Sequence, residues 1–299
     1  MIRLAVVLIV TSLTAMSLTV MSLAARAETC RFTGTTSQDG RLAVRADAAQ
    51  LDGLLTLDVT VEFAIHAWMT DYRYLGQEIT TWSVGEGRRP ALRSVAVNQR
   101  SLADGSIKRQ QWDVFTRNGA RLEGYRVQAK SLADFQQRHP AFVPHWSPAG
   151  FGRPWLADFP RAGAERRPDL DLPAGPASDA QTPLAFAFYW TRFLPPGGGA
   201  FSLVLPGFKR DKQVPLSFGP TTPPATPPAT PDEGGGRWST PLRHPALDAS
   251  SASLATAWVS PDRHLLQLGF DIHTAWASGT ATLRTQGCQG LQTSPGQPP

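Results

Sequence analysis

The chain has 299 residues, of which 41% are hydrophobic and 18% charged, with two cysteines and a formal net charge of +5. Such a composition suits a packed domain, and a charge so mild, spread over scattered basic residues, argues against a nucleic-acid-binding surface. No later segment approaches the roughly 20 apolar residues that a helix needs to cross a bilayer, so no membrane span is expected once the N-terminal segment is removed.

The chain opens MIRLAVVLIVTSLTAMSLTVMSLAARAETC. A positive Arg3, an apolar run from Leu4 broken by Ser and Thr, and the small-x-small site Ala25-Arg26-Ala27 read as a secretory signal peptide, residues 1–27, cleaved after Ala27. The expected address is the periplasm. Thr29, directly before Cys30, does not fit a lipidation signal. Losing Arg3 and Arg26 lowers the net charge from +5 to +3. Cys30 and Cys288 lie near opposite ends of the mature chain in a compartment that favours oxidation, so one disulfide is expected, two free thiols being the alternative. A disulfide would make the first and last strands neighbours.

From Arg31 to Ala129 the pattern is strand and turn. Asp39-Gly40, Asp52-Gly53, Asp104-Gly105 and Asn118-Gly119 each separate two runs of alternating apolar residues, the signature of type I′ hairpin turns. The predicted strands are 31–37, 41–48, 54–66, 71–84, 91–101, 106–116 and 121–129. The clearest, LLTLDVTVEFAI, puts Leu55, Leu57, Val59, Val61, Phe63 and Ile65 on one parity and Asp58 and Glu62 on the other. The next strand carries Tyr72, Tyr74 and Trp82 on one parity. Alternation of this kind predicts an antiparallel sheet with one wet and one buried face.

Further along, SLADFQQRHP has a capping-box-like start at Ser131 and must end before Pro140. Residues 157–183 hold five prolines and read as an irregular loop. TPLAFAFYWTRFL, residues 182–194, reads as a helix with Thr182 as cap and Pro183 in the first position, a buried strand being the alternative. PTTPPATPPATPDEGGG, residues 220–236, reads as a polyproline-type linker. Residues 237–299 supply the closing strands of the same domain, notably 264–272, and a polar tail. The predicted class is mainly β: an antiparallel curved sheet or β-barrel-like meander with one or two short helices, its body spanning 28–219 and the closing strands. An outer-membrane barrel fits poorly, because too much chain is irregular and the end, LQTSPGQPP, lacks an aromatic closing strand.

Chemical motifs are scarce. There is no Gly-x-Ser-x-Gly elbow, and His145 and Ser147 in HWSPAG sit beside a proline without a strained turn. The six histidines form no zinc spacing; His139 and His145 flank a short turn but make a poor ligand set. Asp58 and Glu62 share a strand face, which reads as a solvated face rather than a glycosidase pair. PPGGGAF lacks the Lys-Ser or Lys-Thr of a phosphate loop. No catalytic residue, cofactor or metal ligand is therefore expected.

The stretch AIHAWMTDYRYLGQEITTWSVGEGRRPALRSV and the later HWSPAGFGRPWLADFPRAG resemble exported proteobacterial β-proteins of domain of unknown function 3108, at Tyr72, Tyr74, Glu78, Trp82, Trp146 and Pro148. The long proline-rich insertion and the two cysteines depart from that family's pattern. The resemblance implies a curved antiparallel sheet and transfers no catalytic residue.

The expected function is non-enzymatic binding of an amphiphilic, lipid-like or glycan ligand in the cell envelope. The candidate binding residues are Phe63, Ile65, Tyr72, Tyr74 and Trp82 inside the sheet, with Trp146 and Trp155 in a Pro/Gly-rich loop, because aromatic rings with polar tips suit such ligands. The alternatives are an interaction module with a filled β core and an enzyme of unrecognised type; the protein partner is open.

Overall fold

A computed structural model describes residues 26–36, 39–51, 53–67, 69–84, 91–103, 106–129, 134, 137, 164–172, 182–189, 199–204, 213–218, 238–243, 255–259, 265–273 and 278–290. The expected meander is there. β1 (Arg26–Thr36), β2 (Arg41–Leu51), β3 (Leu54–Ala67), β4 (Thr70–Ser83), β5 (Ala91–Ala103), β6 (Ser106–Asn118) and β7 (Arg121–Ala129) follow one another with antiparallel pairing. β8 (Glu165–Asp171) adds to β7. The second half supplies β9 (Gly199–Val204), β10 (Gln213–Phe218), β11 (Trp238–Arg243), β12 (Ala255–Val259), β13 (Leu265–His273) and β14 (Ser278–Gly290).

All fourteen strands form one sheet, in the order β8-β7-β6-β5-β4-β3-β2-β1-β14-β13-β12-β11-β10-β9. The chain thus builds two meanders and joins them where its first strand meets its last, along β1–β14. Cys30 faces Cys288 in that register, and the two form the expected disulfide. β1 begins at Arg26, so cleavage after Ala27 would remove only its first two residues.

Three expectations need correction. The region 157–183 is not all irregular, since it contains β8. Its Pro168 sits where the β7–β8 register shifts, at the sheet's edge, a place where a residue without an N–H costs no ladder bond. The helix expected over 182–194 is short: α1 (Pro183–Phe188) stops with Tyr189 as its C-cap. The hairpin expected at Asn118-Gly119 turns instead on Gly119-Ala120, between paired Asn118 and Arg121, and only Gly119 has positive φ, +61°. That is the type II′ pattern, which needs a single left-handed residue. Of the expected helix after Ser131, only Asp134 and Gln137 are described, both helical. The linker 220–236 lies outside the described residues.

The core has two parts, on opposite faces of the sheet. On the inner face Phe32, Val44, Leu55, Leu57, Val59, Trp82, Leu92, Val95, Phe115, Leu122 and Leu283 pack with Ala185, Phe188 and Tyr189 of the α1 segment. Phe188 meets Phe32 with ring centroids 5.2 Å apart. On the outer face Ile79, Ala96, Trp112, Val114 and Val127 make a second cluster. Burial on this scale, about 25 cal/mol per Å² of apolar surface, drives the fold.

Candidate functional site

The inner face of the β3–β4 hairpin carries the predicted binding residues. The register pairs Leu55 with Trp82, Leu57 with Thr80, Val59 with Glu78, Val61 with Gly76, Phe63 with Tyr74 and Ile65 with Tyr72, so all twelve share one face. Along it the environment changes. Trp82 is 0% exposed and belongs to the core beneath α1. Phe63 and Ile65 are half-buried, whereas Tyr72 and Tyr74 are 49% and 37% exposed. Trp82 is therefore a core residue, not part of the exposed end of this face. Trp146 and Trp155 lie outside the described residues, as do His139 and His145.

The tip of the hairpin is open. Met69, in its turn, is 93% exposed. His66 Nδ1 lies 2.6 Å from Asp71 Oδ1, and Arg73 sits 2.6 Å from Glu62 on the outer face. The tyrosines thus project from a stretch whose charges are matched locally.

Where the two halves of the inner face meet stands Glu78, fully buried. Its Oε1 accepts a short hydrogen bond from the Thr182 hydroxyl and another, 3.0 Å long, from the Ala185 N–H. The Thr80 hydroxyl lies 3.2 Å from that of Thr182. Thr182 therefore does not cap its own helix with its side chain; it and the first turn are tied down by a carboxylate from the sheet. Burial pushes the Glu78 carboxyl up to about 7, and the bonds from Thr182 and the backbone only partly offset it.

Two strands further on, the same register row reaches Asp113 and Arg126, through Val97. Arg126 donates twice to the Asp113 carboxylate, over 2.5 and 3.0 Å, and the Gln111 amide donates to it as well. This bidentate, hydrogen-bonded geometry is what a buried pair needs to offset its desolvation.

The expectation of a solvated Asp58 is overturned. Asp58 is 2% exposed, and burial pushes its carboxyl up to about 7 despite a 3.1 Å bond from the Gln77 amide. Asp58 Oδ2 and Gln77 Oε1 are buried acceptors without a hydrogen-bond partner. Protonation would turn Asp58 from a pure acceptor into a donor as well. Glu28, Cys30 and Cys288 bring a carboxylate oxygen and two sulfurs within 4.8 Å of one another, but both sulfurs are spent in the disulfide.

Sequence reasoning missed Glu78 as the tie to α1, and Asp113, Gln111 and Arg126 altogether. In the sequence Glu78 stands out only within the family resemblance. A carboxylate on the apolar parity of a strand is the signal that was available: Glu78 shares its parity with Tyr72, Tyr74 and Trp82.

No protein-family model matches the chain, domain of unknown function 3108 included, and no curated protein is similar to it. Among solved structures, the chain is similar to a β-barrel-like protein of domain of unknown function DUF1849 from Brucella abortus. The TM-score is 0.47 at 8% identity, over 90% of this chain and 98% of that one.

Proposed function

We propose that this chain is an exported, non-catalytic protein of the cell envelope that holds an amphiphilic or glycan ligand against the uncovered part of its inner sheet face. One observation carries this reading: a single strand face passes from buried core at Trp82 to exposed rings at Tyr72 and Tyr74. Tyrosines with an apolar body and a polar tip, next to half-buried Phe63 and Ile65, suit a ligand with both characters. The export pattern before Glu28 and the Cys30–Cys288 disulfide support a periplasmic address. The aromatic pattern at Tyr72, Tyr74, Glu78 and Trp82 supports a place among exported β-proteins resembling domain of unknown function 3108.

Native mass spectrometry of protein purified from the periplasm tests the reading. A ligand-bound mass that disappears on denaturation is expected, and a uniformly bare polypeptide mass would sink it. The filled half of the interior favours a second reading, an interaction module that works through its exposed surface; a bare mass together with a co-purified protein would select it.

A further inference from the structure

We infer that the outer face of the seam between the two meanders is an electrostatic docking surface for a bilayer of net negative charge, with Arg31, Arg41 and Arg284 as its contacts. The inference concerns the face opposite the proposed ligand wall, and takes from the reading above only the exported address.

These arginines are scattered in the chain, and the register gathers them. On β1, β2 and β14 the residues Phe32, Val44 and Leu283 point into the inner core, so the other parity of each strand faces outward. There Arg31 stands opposite Arg45, Arg41 opposite Thr35, and Arg284 opposite Thr33. Thr33 is thus bracketed by four arginines, each with its Cβ within about 8 Å of the threonine's, as facing, diagonal or same-strand neighbours. All four are exposed, as are Thr33, Thr35 and Ala43 between them. Arg45 is committed to Asp47, at 2.7 Å, and the Thr29 hydroxyl donates to the same carboxylate. Arg31, Arg41 and Arg284 have no hydrogen-bond or ion-pair partner among the described residues. The next acid across the sheet, Glu62, is taken by Arg73. Even with exposed Asp39 of the β1–β2 turn set against them, the arginines leave the patch positive. The Cys30–Cys288 bond lies beside Arg31 in the ladder, so contacts from opposite ends of the chain are held as one surface.

Two like charges directly opposite on a sheet face are destabilising, and Arg45 eases the clash only by pairing with Asp47. Arg31 is left without a counter-charge, which an outside anion would supply. The chemistry of the face selects that anion. A guanidinium presents a planar fork that matches phosphate oxygens. Between the arginines stand threonines and one alanine, with no ring or large apolar side chain, so a protein partner would find no anchor to bury. A single nucleic-acid strand would find no ring to stack on. An anionic bilayer needs neither, because each basic residue near its surface strengthens attachment about fivefold by charge alone.

The test uses the full mature chain with its disulfide intact, sedimented with phosphatidylcholine vesicles that contain or lack phosphatidylglycerol. Binding only to the vesicles with phosphatidylglycerol is expected, and added salt should weaken it. Arg31→Gln, Arg41→Gln and Arg284→Gln should each weaken it about fivefold, and the three together about a hundredfold. The urea midpoint of Arg31→Gln should hold or rise, since a like-charge pair is removed, which separates lost binding from unfolding. Should the triple variant fail to fold, the single variants carry the test. Arg121→Gln removes the same charge from β7, six strands away from β1, and should leave binding nearly unchanged. A loss from Arg121→Gln equal to that from Arg31→Gln would overturn the inference, for net charge and not the patch would then be responsible. Equal binding to both kinds of vesicle, binding to neither, or tighter binding to a single-stranded oligonucleotide would overturn it too. None of these outcomes alters the native mass that tests the inner face.

Discussion

Tyr74 and Trp82 stand on the same strand and the same face, yet one keeps 37% of its surface in water and the other none. What separates them is not the strand but what lies across from it. Trp82 belongs to the buried cluster that also holds Ala185 and Phe188 of α1, whereas Tyr74 lies outside it. The change is visible on both faces of β4, which is exposed from Asp71 to Tyr74 and buried at every residue from Gly76 to Thr80. Burial therefore switches along this strand rather than across it. An aromatic residue on a buried parity is a core residue only as far as something packs over it.

The difference can be broken most sharply at its dry end. Trp82→Ala should cost about 3–5 kcal/mol, the usual range for emptying an aromatic site in a core, read as a drop in the urea midpoint. Loss of less than about 1 kcal/mol would mean that Trp82 is not packed in the core.

The boundary between the two ends is tested by pH. Glu78 and Asp58 both have carboxyls raised to about 7 in the folded state, from 4.5 and 3.8. The folded protein therefore binds these protons more tightly than the unfolded chain does. The stabilisation is fully present below about pH 4 and is lost as pH rises to about 7, on the order of 3–4 kcal/mol for each group as an upper value. Urea midpoints should fall from pH 5 to pH 8, and Glu78→Gln with Asp58→Asn should flatten that slope. A midpoint that rises over the same interval would contradict the burial of both groups.

A smaller effect is expected at the tie itself. Thr182→Val removes the hydroxyl that meets Glu78 and should cost about 1–3 kcal/mol, since it leaves a buried acceptor with one donor fewer. Hydrogen exchange at Ala185 should quicken in the same variant, because its N–H shares that carboxylate. The smallest change in stability belongs to the wet end. Tyr74→Ala should shift the urea midpoint by no more than about 1 kcal/mol, so that a ligand-binding loss in this variant is separable from unfolding.

Much of the architecture was legible because it is local. The alternation of Leu55 to Ile65 sets one face of β3, and the turn pairs at Asp39-Gly40 and Asp52-Gly53 fall between observed strands, while the turn expected at Asn118-Gly119 lies one residue further on. Pairing of Cys30 with Cys288 followed from count and compartment alone, and it correctly made β1 and β14 neighbours. The candidate site was legible only in part. Phe63, Ile65, Tyr72 and Tyr74 share the expected face, but Trp82 has the same parity and a different environment. Asp58 reads as solvated by parity and is buried, because the outer face carries a second apolar cluster drawn from β4 to β7.

The sequence by itself determined the strands, their faces and the covalent link, for each depends on a two-residue period, a turn dihedral or a residue type. Only the tertiary structure decided how far each face is covered, where α1 docks, and that Glu78 and Asp58 sit in a dry interior. The physical reason is that burial is a property of what packs against a side chain, and that partner comes from far away in the chain: Thr182 reaches Glu78 across more than 100 residues. A periodic pattern records which way a residue points and carries no record of what will stand opposite it.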